Sequence, residues 1–380
     1  MKSDKIKLMK KFLIFFLTLS IITFSCKKKE TEPEPDPEPV QEVDAAMMRI
    51  DIPGILILNT PVTVKGLIEN FKEGTITSMD INWQVGNGAV HTMSVTGLNI
   101  GKLGTYEFTH DDTYTPAQGD QSIKVWVSNV NGQTDDARPS NDLLTKSFMV
   151  ASQGVQRTVL YEEFTSSTCG PCATFNTNYF NTTFLNNNAG KYALVKYQMN
   201  WPGNGDPYYT AEGGQRRQYY GVNGVPTLFI DGDEGTHFNA NDLQADLDEK
   251  YAIPAVVSLQ AYYEITNNND VKVKVVGTPY VSGNFTLHIA VVEKETTGNA
   301  SSNGETEFHN VMMKMVPDAN GTAVSCTDGT QFTERKQASL TGTNIEEMND
   351  LEVVVFMQDD NTKAILQAAI AVNDPSQIDF

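Results

Sequence analysis

Short runs in which apolar and polar residues alternate fill two long stretches of the chain, from about residue 45 to 151 and from about 252 to 380. Alternation of this kind places one face of a segment in a core and the other in water, which is typical of β-strands. The clearest alternating runs are 62–66, 76–81, 122–127 and 271–275, and stronger apolar runs lie at 287–291 and 351–357. Turn-forming sequences separate them, as at Gly86-Asn87-Gly88 and Asn131-Gly132. This spacing predicts an antiparallel Ig-like β-sandwich for 45–151, without the internal disulfide of that fold, and a second β-sandwich for 252–380.

The stretch from about residue 156 to 251 has a different pattern, because strand-like and helix-like segments follow one another in turn. After a predicted strand at 158–164 and a short loop, Cys172, Phe175 and Tyr179 recur at helical spacing. The further predicted elements are a strand at 192–197, a helix at 211–220, a strand at 227–230 and a closing helix at 241–251. This order indicates an α/β domain with at least one parallel crossover, and hence a multidomain α+β protein.

The first 25 residues have the features of an export signal. Five lysines precede an apolar run from Phe12 to Phe24, which is short for a membrane span. The run ends in Thr23-Phe24-Ser25 before Cys26, and this junction resembles the lipobox of bacterial lipoproteins. That resemblance implies that Cys26 is lipidated, becomes the mature N-terminus and anchors the protein to a membrane. The alternative is an ordinary signal peptide with an incidental cysteine.

Residues 26–44 are predicted to form a tether. Three lysines follow Cys26, and prolines then alternate with glutamate or aspartate. Alternating prolines and like charges cannot build a core, so we expect an extended segment close to polyproline II. No later apolar stretch approaches the 18 residues of a membrane span.

The net charge of the chain argues against a nucleic-acid partner. The 380 residues include 28 Lys and Arg against 47 Asp and Glu, a formal net charge of −19. A surface this acidic repels phosphate backbones, so we expect no nucleic-acid partner. The five histidines are scattered without the spacing of metal ligands, and no phosphate-binding loop is present, so neither a metal nor a bound cofactor is expected.

The segment Cys169-Gly170-Pro171-Cys172 is the strongest candidate for chemistry. A thiol at the start of a helix faces unpaired backbone N–H groups and the positive end of the helix dipole, both of which favour the thiolate. The spacing of three residues allows the two sulfurs to form a reversible disulfide. We expect Cys169, nearer the exposed loop, to attack a substrate and Cys172, on the buried side, to resolve the mixed disulfide.

Two further residues lie at sequence positions that suit thiol–disulfide exchange at this cysteine pair. Glu163 lies six residues before Cys169 and is expected beneath the cysteines, where a carboxyl group can pass a proton to or from Cys172. Pro226 precedes the strand at 227–230, and a cis Val225–Pro226 bond suits that tight turn. Backbone groups at this turn would lie beside the disulfide and pair with a substrate chain.

These residues, in this order, resemble the thioredoxin superfamily. The resemblance implies a thioredoxin-like fold for 156–251, with Cys169 as nucleophile, Cys172 as resolving thiol, Glu163 at the buried-acid position and Pro226 as the cis-proline. The sequence departs from the family at Thr168, where tryptophan is usual, and at Glu163, where aspartate is usual. The loop at 200–207 is also longer and more polar than expected, which affects the substrate-facing surface more than the fold.

A narrower resemblance covers most of the chain. The lipoprotein signal, the β-rich first domain, the segment from Leu160 to Ala173 and the β-rich end containing Phe308-His309-Asn310-Val311 resemble the Omp-twenty-eight-related outer-membrane lipoproteins. That resemblance implies a lipid-anchored protein of the cell envelope, facing the periplasm or the cell surface.

Two functions remain open from the sequence. The first is thiol–disulfide exchange with extracytoplasmic protein substrates, supported by an unknown redox partner. The second is a non-catalytic binding or structural module built on a redox-silent scaffold. Cys326 remains unassigned, either as a small buried apolar residue or as a free or intermolecular thiol.

Overall fold

The computed structural model describes residues 42–119 and 121–379. The predicted signal segment, Cys26 and most of the predicted tether lie outside these residues. Within the described part, Val43 and Asp44 are already buried. No helix of this part is long and apolar enough to cross a membrane.

The N-terminal strands form a β-sandwich of two sheets. One sheet has the order β1-β3-β6 and the other the order β2-β8-β7-β4-β5. The strands are β1 (Ala45–Ile50), β2 (Ile55–Ile57), β3 (Val62–Asn70), β4 (Ile76–Val85), β5 (His91–Ile100), β6 (Thr105–Tyr114), β7 (Gln121–Ser128) and β8 (Leu143–Ala151). Their inward residues, such as Ile68, Ile81 and Val125, form one buried core. The alternating pattern therefore identified the buried face of this sandwich correctly.

The middle of the chain places four strands beside one another in the order β12-β11-β9-β10. Strand β10 runs parallel to β9, whereas β11 is antiparallel to β9 and β12 is antiparallel to β11. The strands are β9 (Val159–Thr165), β10 (Tyr192–Gln198), β11 (Thr227–Ile230) and β12 (Asp233–Glu234). All seven residues of β9 are buried, because the strand lies in the interior of the sheet.

Helices connect these strands, namely α1 (Gly170–Asn178), α2 (Thr182–Asn187), α3 (Ala211–Tyr220) and α4 (Ala240–Ala252). Side chains cap the helix starts: Cys169 for α1, Asn181 for α2, Thr210 for α3 and Asn239 for α4. Helix α3 ends at Gly221, whose positive φ of 74° is the usual glycine C-cap. The segments α1 and α2 join the parallel pair β9 and β10, so the predicted crossover is confirmed.

The C-terminal strands form two packed sheets, and one of them continues the sheet of the middle region. The strands are β13 (Val257–Ile265), β14 (Asp270–Pro279), β15 (Gly283–Thr296), β16 (Phe308–Met315), β17 (Thr322–Cys326), β18 (Phe332–Ser339), β19 (Leu351–Gln358), β20 (Ile365–Ile370) and β21 (Val372–Asn373). Sheet β18-β14-β13-β21 packs on strands β15, β17 and β19 over a shared apolar core. Strand β16 lies parallel to β10, with Lys196 opposite Val311. A nine-stranded sheet thus spans the middle and C-terminal regions.

Charged side chains are buried behind β9, on the side that faces α3. Arg216 and Glu162 are each 1% exposed, and their side chains form an ion pair of 2.8 Å. The hydroxyl groups of Tyr197 and Tyr220 donate hydrogen bonds to the same carboxylate. Arg216 also donates to the side-chain oxygen of Gln358. Every charge in this cluster therefore has a partner, as burial requires.

A buried histidine lies in β15 without polar partners. His288 is 2% exposed, its ring stacks on Phe356, and neither ring nitrogen makes a hydrogen bond within the described residues. Burial, together with the nearby charge of Arg216, lowers the pKa of His288 well below its usual value of 6.5. The folded protein therefore keeps this ring neutral at a pH where the unfolded chain takes up a proton.

Acid conditions are therefore expected to destabilise the protein through His288. The stability that this ring contributes is complete above about pH 6.5 and falls by about 1.4 kcal/mol per pH unit below it. The variant His288→Leu removes that dependence, and its stability relative to the natural protein should rise by about 2 kcal/mol from pH 6.5 to pH 5. Urea unfolding of both proteins at pH 7, 6 and 5 measures the difference. A constant difference would show that His288 does not titrate on unfolding.

Candidate functional site

The cysteine pair lies at the start of α1, directly after the turn that follows β9. Cys169 and Cys172 form a disulfide with Cα atoms 5.2 Å apart. Cys169 is the N-cap of α1, and the backbone N–H of Cys172 points at its sulfur over 3.1 Å. Pro171 occupies the first turn, where its missing N–H costs no hydrogen bond. A thiolate on Cys169 would accept that N–H and face the positive end of the helix.

The turn before β11 lies against the disulfide. The Val225–Pro226 peptide bond is cis, as predicted. The backbone oxygen of Val225 lies 3.5 Å from the sulfur of Cys169. Val225 and Pro226 are both half-buried. The structure therefore brings the turn at Pro226 to the cysteine pair, although Pro226 is more than 50 residues from either cysteine in the chain.

Cys169 is buried more deeply than expected for a thiol nearer an exposed loop. Cys169 is 1% exposed and Cys172 is 0% exposed, whereas Gly170 and Pro171 are exposed. Two distant segments pack on the turn that carries Cys169. The hydroxyl of Thr168 donates to the carbonyl of Pro202, and the side-chain amide of Asn303 lies 3.3 Å from the carbonyl of Cys169.

Glu163 is fully buried in β9 and has a cation beside it. Lys196 on β10 lies directly opposite in the register, and its Nζ is 2.8 Å from Oε2 of Glu163. Neither oxygen of Glu163 accepts a hydrogen bond in good geometry within the described residues, so the pairing is chiefly electrostatic. Lys196 also donates to the side-chain oxygen of Asn176, one turn beyond Cys172 on α1. The acid is therefore linked to the cysteine helix through Lys196 and Asn176.

Lys196, Asn176 and Asn303 are members of the site that the sequence analysis missed. Lys196 offered a signal, because it is a charged residue inside the apolar run 192–197. A lysine buried in the middle of a strand requires an anionic partner, and Glu163 is the carboxylate on the neighbouring strand. Asn303 offered no local signal, since it contacts this site from a loop more than 130 residues further along.

The third cysteine of the described residues, Cys326, has the surroundings of an unreactive thiol. Cys326 lies at the end of β17, is 7% exposed and has no disulfide partner within the described residues. Burial raises the pKa of its thiol to about 11. The thiol therefore stays protonated near neutral pH and packs as a small apolar side chain.

No cluster of three or more histidine, cysteine, aspartate or glutamate side chains suited to a metal ion occurs in residues 42–119 and 121–379.

No family model matches the chain, and no curated protein matches it.

Similar solved structures cover parts of the chain. HBP35 of Porphyromonas gingivalis is 14% identical with a TM-score of 0.46, covering 60% of this chain and 80% of its own. A domain of the outer membrane lipoprotein Omp28 from Porphyromonas gingivalis is 17% identical with a TM-score of 0.23, covering 31% of this chain and 89% of its own. The CARDB domain of the PF1109 protein from Pyrococcus furiosus is 17% identical with a TM-score of 0.25, covering 30% of this chain and 96% of its own. All three TM-scores are below 0.5, so the function is inferred from the residues of the site.

Proposed function

We propose that this protein is a thiol–disulfide oxidoreductase of the cell envelope that acts on protein substrates through a thioredoxin-like domain. The observation that carries the proposal is the Cys169–Cys172 disulfide at the start of α1, with the backbone oxygen of Val225 3.5 Å from the Cys169 sulfur. The strand order β12-β11-β9-β10, with β10 parallel and β11 antiparallel to β9, supports a thioredoxin-like arrangement around it.

The proposed exchange conserves atoms and electrons. A thiolate of a reduced substrate attacks the sulfur of Cys169, the Cys169–Cys172 bond breaks, and Cys172 leaves as a thiolate. The carboxylate of Glu163, paired with Lys196, accepts the proton that the substrate thiol releases and passes it to the Cys172 thiolate. A second substrate thiolate then attacks the mixed disulfide and releases Cys169, so that two electrons pass from a substrate dithiol to the protein. The reverse sequence reduces a substrate disulfide, and the redox partner sets the direction.

The location follows from the N-terminal segment. A lipid on Cys26 would anchor the protein to the outer membrane, and the segment between Cys26 and the buried Val43 would separate the folded part from its surface. The substrates would then be proteins of the periplasm or the cell surface. This placement rests on the resemblance of the leader to a lipobox.

A redox titration tests the exchange chemistry. The full-length chain is equilibrated in glutathione buffers, alkylated, and analysed by mass spectrometry for modification at each cysteine. A midpoint reduction potential of the Cys169–Cys172 pair between about −120 and −270 mV, with Cys169 alkylated first, supports exchange. The variant Cys172→Ser should accumulate a mixed disulfide on Cys169, whereas Cys169→Ser should form none. The variant Cys326→Ser serves as the matched control and should behave like the natural protein.

The burial of Cys169 favours one competing function. A disulfide closed from solvent suits a structural bond in a non-catalytic binding module. A structural disulfide predicts a midpoint reduction potential below about −300 mV and no mixed disulfide in the Cys172→Ser variant. Either result would overturn the proposal of exchange.

A further inference from the structure

A cavity of about 450 Å³ lies between α1 and the segment 304–309, which leads into β16. Its lining includes Asn176 of α1, Lys196 of β10 and Glu305. We call this cavity the α1 pocket. Glu305 is partly exposed, whereas Glu163, the acid of the cysteine site, is 0% exposed. A proton that reaches Glu163 from solvent therefore needs a route through neighbouring side chains.

A continuous set of contacts joins Glu305 to Glu163. The ammonium group of Lys196 lies 2.8 Å from Oε2 of Glu163 and donates to Oδ1 of Asn176 over 3.0 Å. The side-chain amide of Asn176 in turn donates a hydrogen bond to the carboxylate of Glu305, and the charge of Lys196 also acts on that carboxylate. One cation is thus shared by two carboxylates, of which one is buried and the other reaches the α1 pocket.

Asn303 holds Glu305 against the turn that carries Cys169. Its side-chain amide donates to the Glu305 carboxylate and lies 3.2 Å and 3.3 Å from the carbonyl oxygens of Ser166 and Cys169. Its backbone N–H donates to the carbonyl of Ser167 over 3.0 Å. The segment that supplies Glu305 comes from the C-terminal part of the chain, and these bonds fix it to the cysteine turn.

The charges that face Glu305 favour the uptake of one proton. With one ammonium for two carboxylates, the group Glu163, Lys196 and Glu305 is negatively charged when both acids are ionised. Burial raises the pKa of Glu305 and the charge of Glu163 raises it further, while its hydrogen bonds and Lys196 oppose the shift. The other titratable side chains that line the pocket are Glu307, which is exposed, and His309. Carboxylates that share a site hold a proton at a pH where isolated carboxylates lose it.

We propose that Glu305 is the entry point for protons to the cysteine site, passing them by way of Lys196 to Glu163. This inference rests on the proposed thiol–disulfide exchange. A substrate thiol releases its proton, its thiolate attacks Cys169, and the bond to Cys172 breaks. Lys196 gives a proton to the carboxylate of Glu163 and regains one from Glu305 through water in the α1 pocket, which both line. Glu163 then passes its proton to the Cys172 thiolate, so that one proton leaves the substrate and one reaches the protein.

The pH dependence of disulfide reduction tests the proposal. The full-length natural protein and Glu305→Gln are reduced by a small dithiol from pH 5 to pH 9, and the reaction is followed by acid quenching, alkylation and mass spectrometry. We expect the natural protein to react about tenfold faster at the acid end. The ratio of the two rates should fall towards one as the pH rises through the pKa of Glu305, because an ionised carboxyl has no proton to pass. Taking the ratio cancels the ionisation of the dithiol.

Chemical rescue separates this role from a structural one. Imidazolium is a small acid that can enter the α1 pocket, so the rate of Glu305→Gln should rise with imidazole concentration at constant pH and ionic strength. The rate of the natural protein should stay constant, and Glu305→Asp should keep most of it. Glu307→Gln removes an exposed carboxyl from the same pocket and should react at the natural rate. A Glu305→Gln variant that matches the natural protein at every pH, or that ignores imidazole, would overturn the proposal.

The variant Asn176→Leu provides a second test that leaves both carboxyls in place. It removes the amide that holds Lys196 and Glu305 together, so it should lose the same rate advantage at acid pH. An unchanged rate in this variant would also contradict the proposal. The redox titration and the mixed disulfide of Cys172→Ser test the exchange itself. If those succeed while Glu305→Gln reacts at the natural rate, only the role of Glu305 fails.

Discussion

Replacing Arg216 by methionine is expected to lower the free energy of unfolding by about 3–5 kcal/mol. The substitution leaves the carboxylate of Glu162 fully buried without its cation, with only the hydroxyl groups of Tyr197 and Tyr220 as partners. An unpaired buried charge costs far more than the loss of an exposed ion pair. Urea unfolding at neutral pH, followed by circular dichroism, measures the change.

The matched double variant Arg216→Met with Glu162→Gln removes both charges. Because no unpaired charge then remains, we expect the double variant to recover more than half of the free energy of unfolding that Arg216→Met loses. The variant Arg217→Met controls for the loss of an arginine from the same helix. Arg217 is only partly buried and donates to the carbonyl of Val222, so its loss should cost about 1 kcal/mol. An Arg216→Met variant as stable as the natural protein would contradict the assignment of a buried ion pair.

Replacing Lys196 by methionine is expected to cost a similar amount, about 3–5 kcal/mol, because it isolates the carboxylate of Glu163. Glu163 is 0% exposed and accepts no hydrogen bond in good geometry within the described residues, so Lys196 is its main compensation. Thermal and urea unfolding of the variant measure the loss. A stability within about 1 kcal/mol of the natural protein would show that the carboxylate finds another partner or takes up a proton at little cost.

The double variant Lys196→Met with Glu163→Gln connects this pair to the proposed exchange. Its stability should largely recover, since both charges are removed together. The rate of reduction of the Cys169–Cys172 disulfide by a small dithiol should nevertheless fall by about 100-fold, because the group that passes a proton to Cys172 is lost. A stable double variant that is reduced at the natural rate would remove Glu163 from the mechanism and leave the cysteines in it.

Local patterns predicted most of the secondary structure and part of the site. Alternating residues identified strands such as β4, β7 and β14, and helical spacing after Cys172 identified α1. The cysteine pair and the cis bond at Pro226 were each identified from a local motif, and each is determined by residues close together in the chain. The contact between them is not local, because it joins Cys169 to Val225, 56 residues further along.

The features that the sequence analysis missed depend on contacts between distant residues. The pairing of β10 with β16 joins Lys196 to Val311, and no pattern in either strand specifies the other. The loops that contain Pro202 and Asn303 bond to Thr168 and to the backbone of Cys169, which is buried. Solvent exposure of a loop depends on what packs against it, and this was not available from local sequence.

The nine-stranded sheet also bears on how the protein avoids pairing with copies of itself. One outer strand, β12, has two residues, Asp233 and Glu234, both acidic and exposed, so a second copy at this edge would meet like charges. At the other edge, the side chain of Gln367 in β20 bonds the backbone at Gln156 and Thr158, which holds that segment against the strand. One edge therefore repels an added strand and the other is covered, so dense packing of many copies on one surface need not lead to edge-to-edge aggregation.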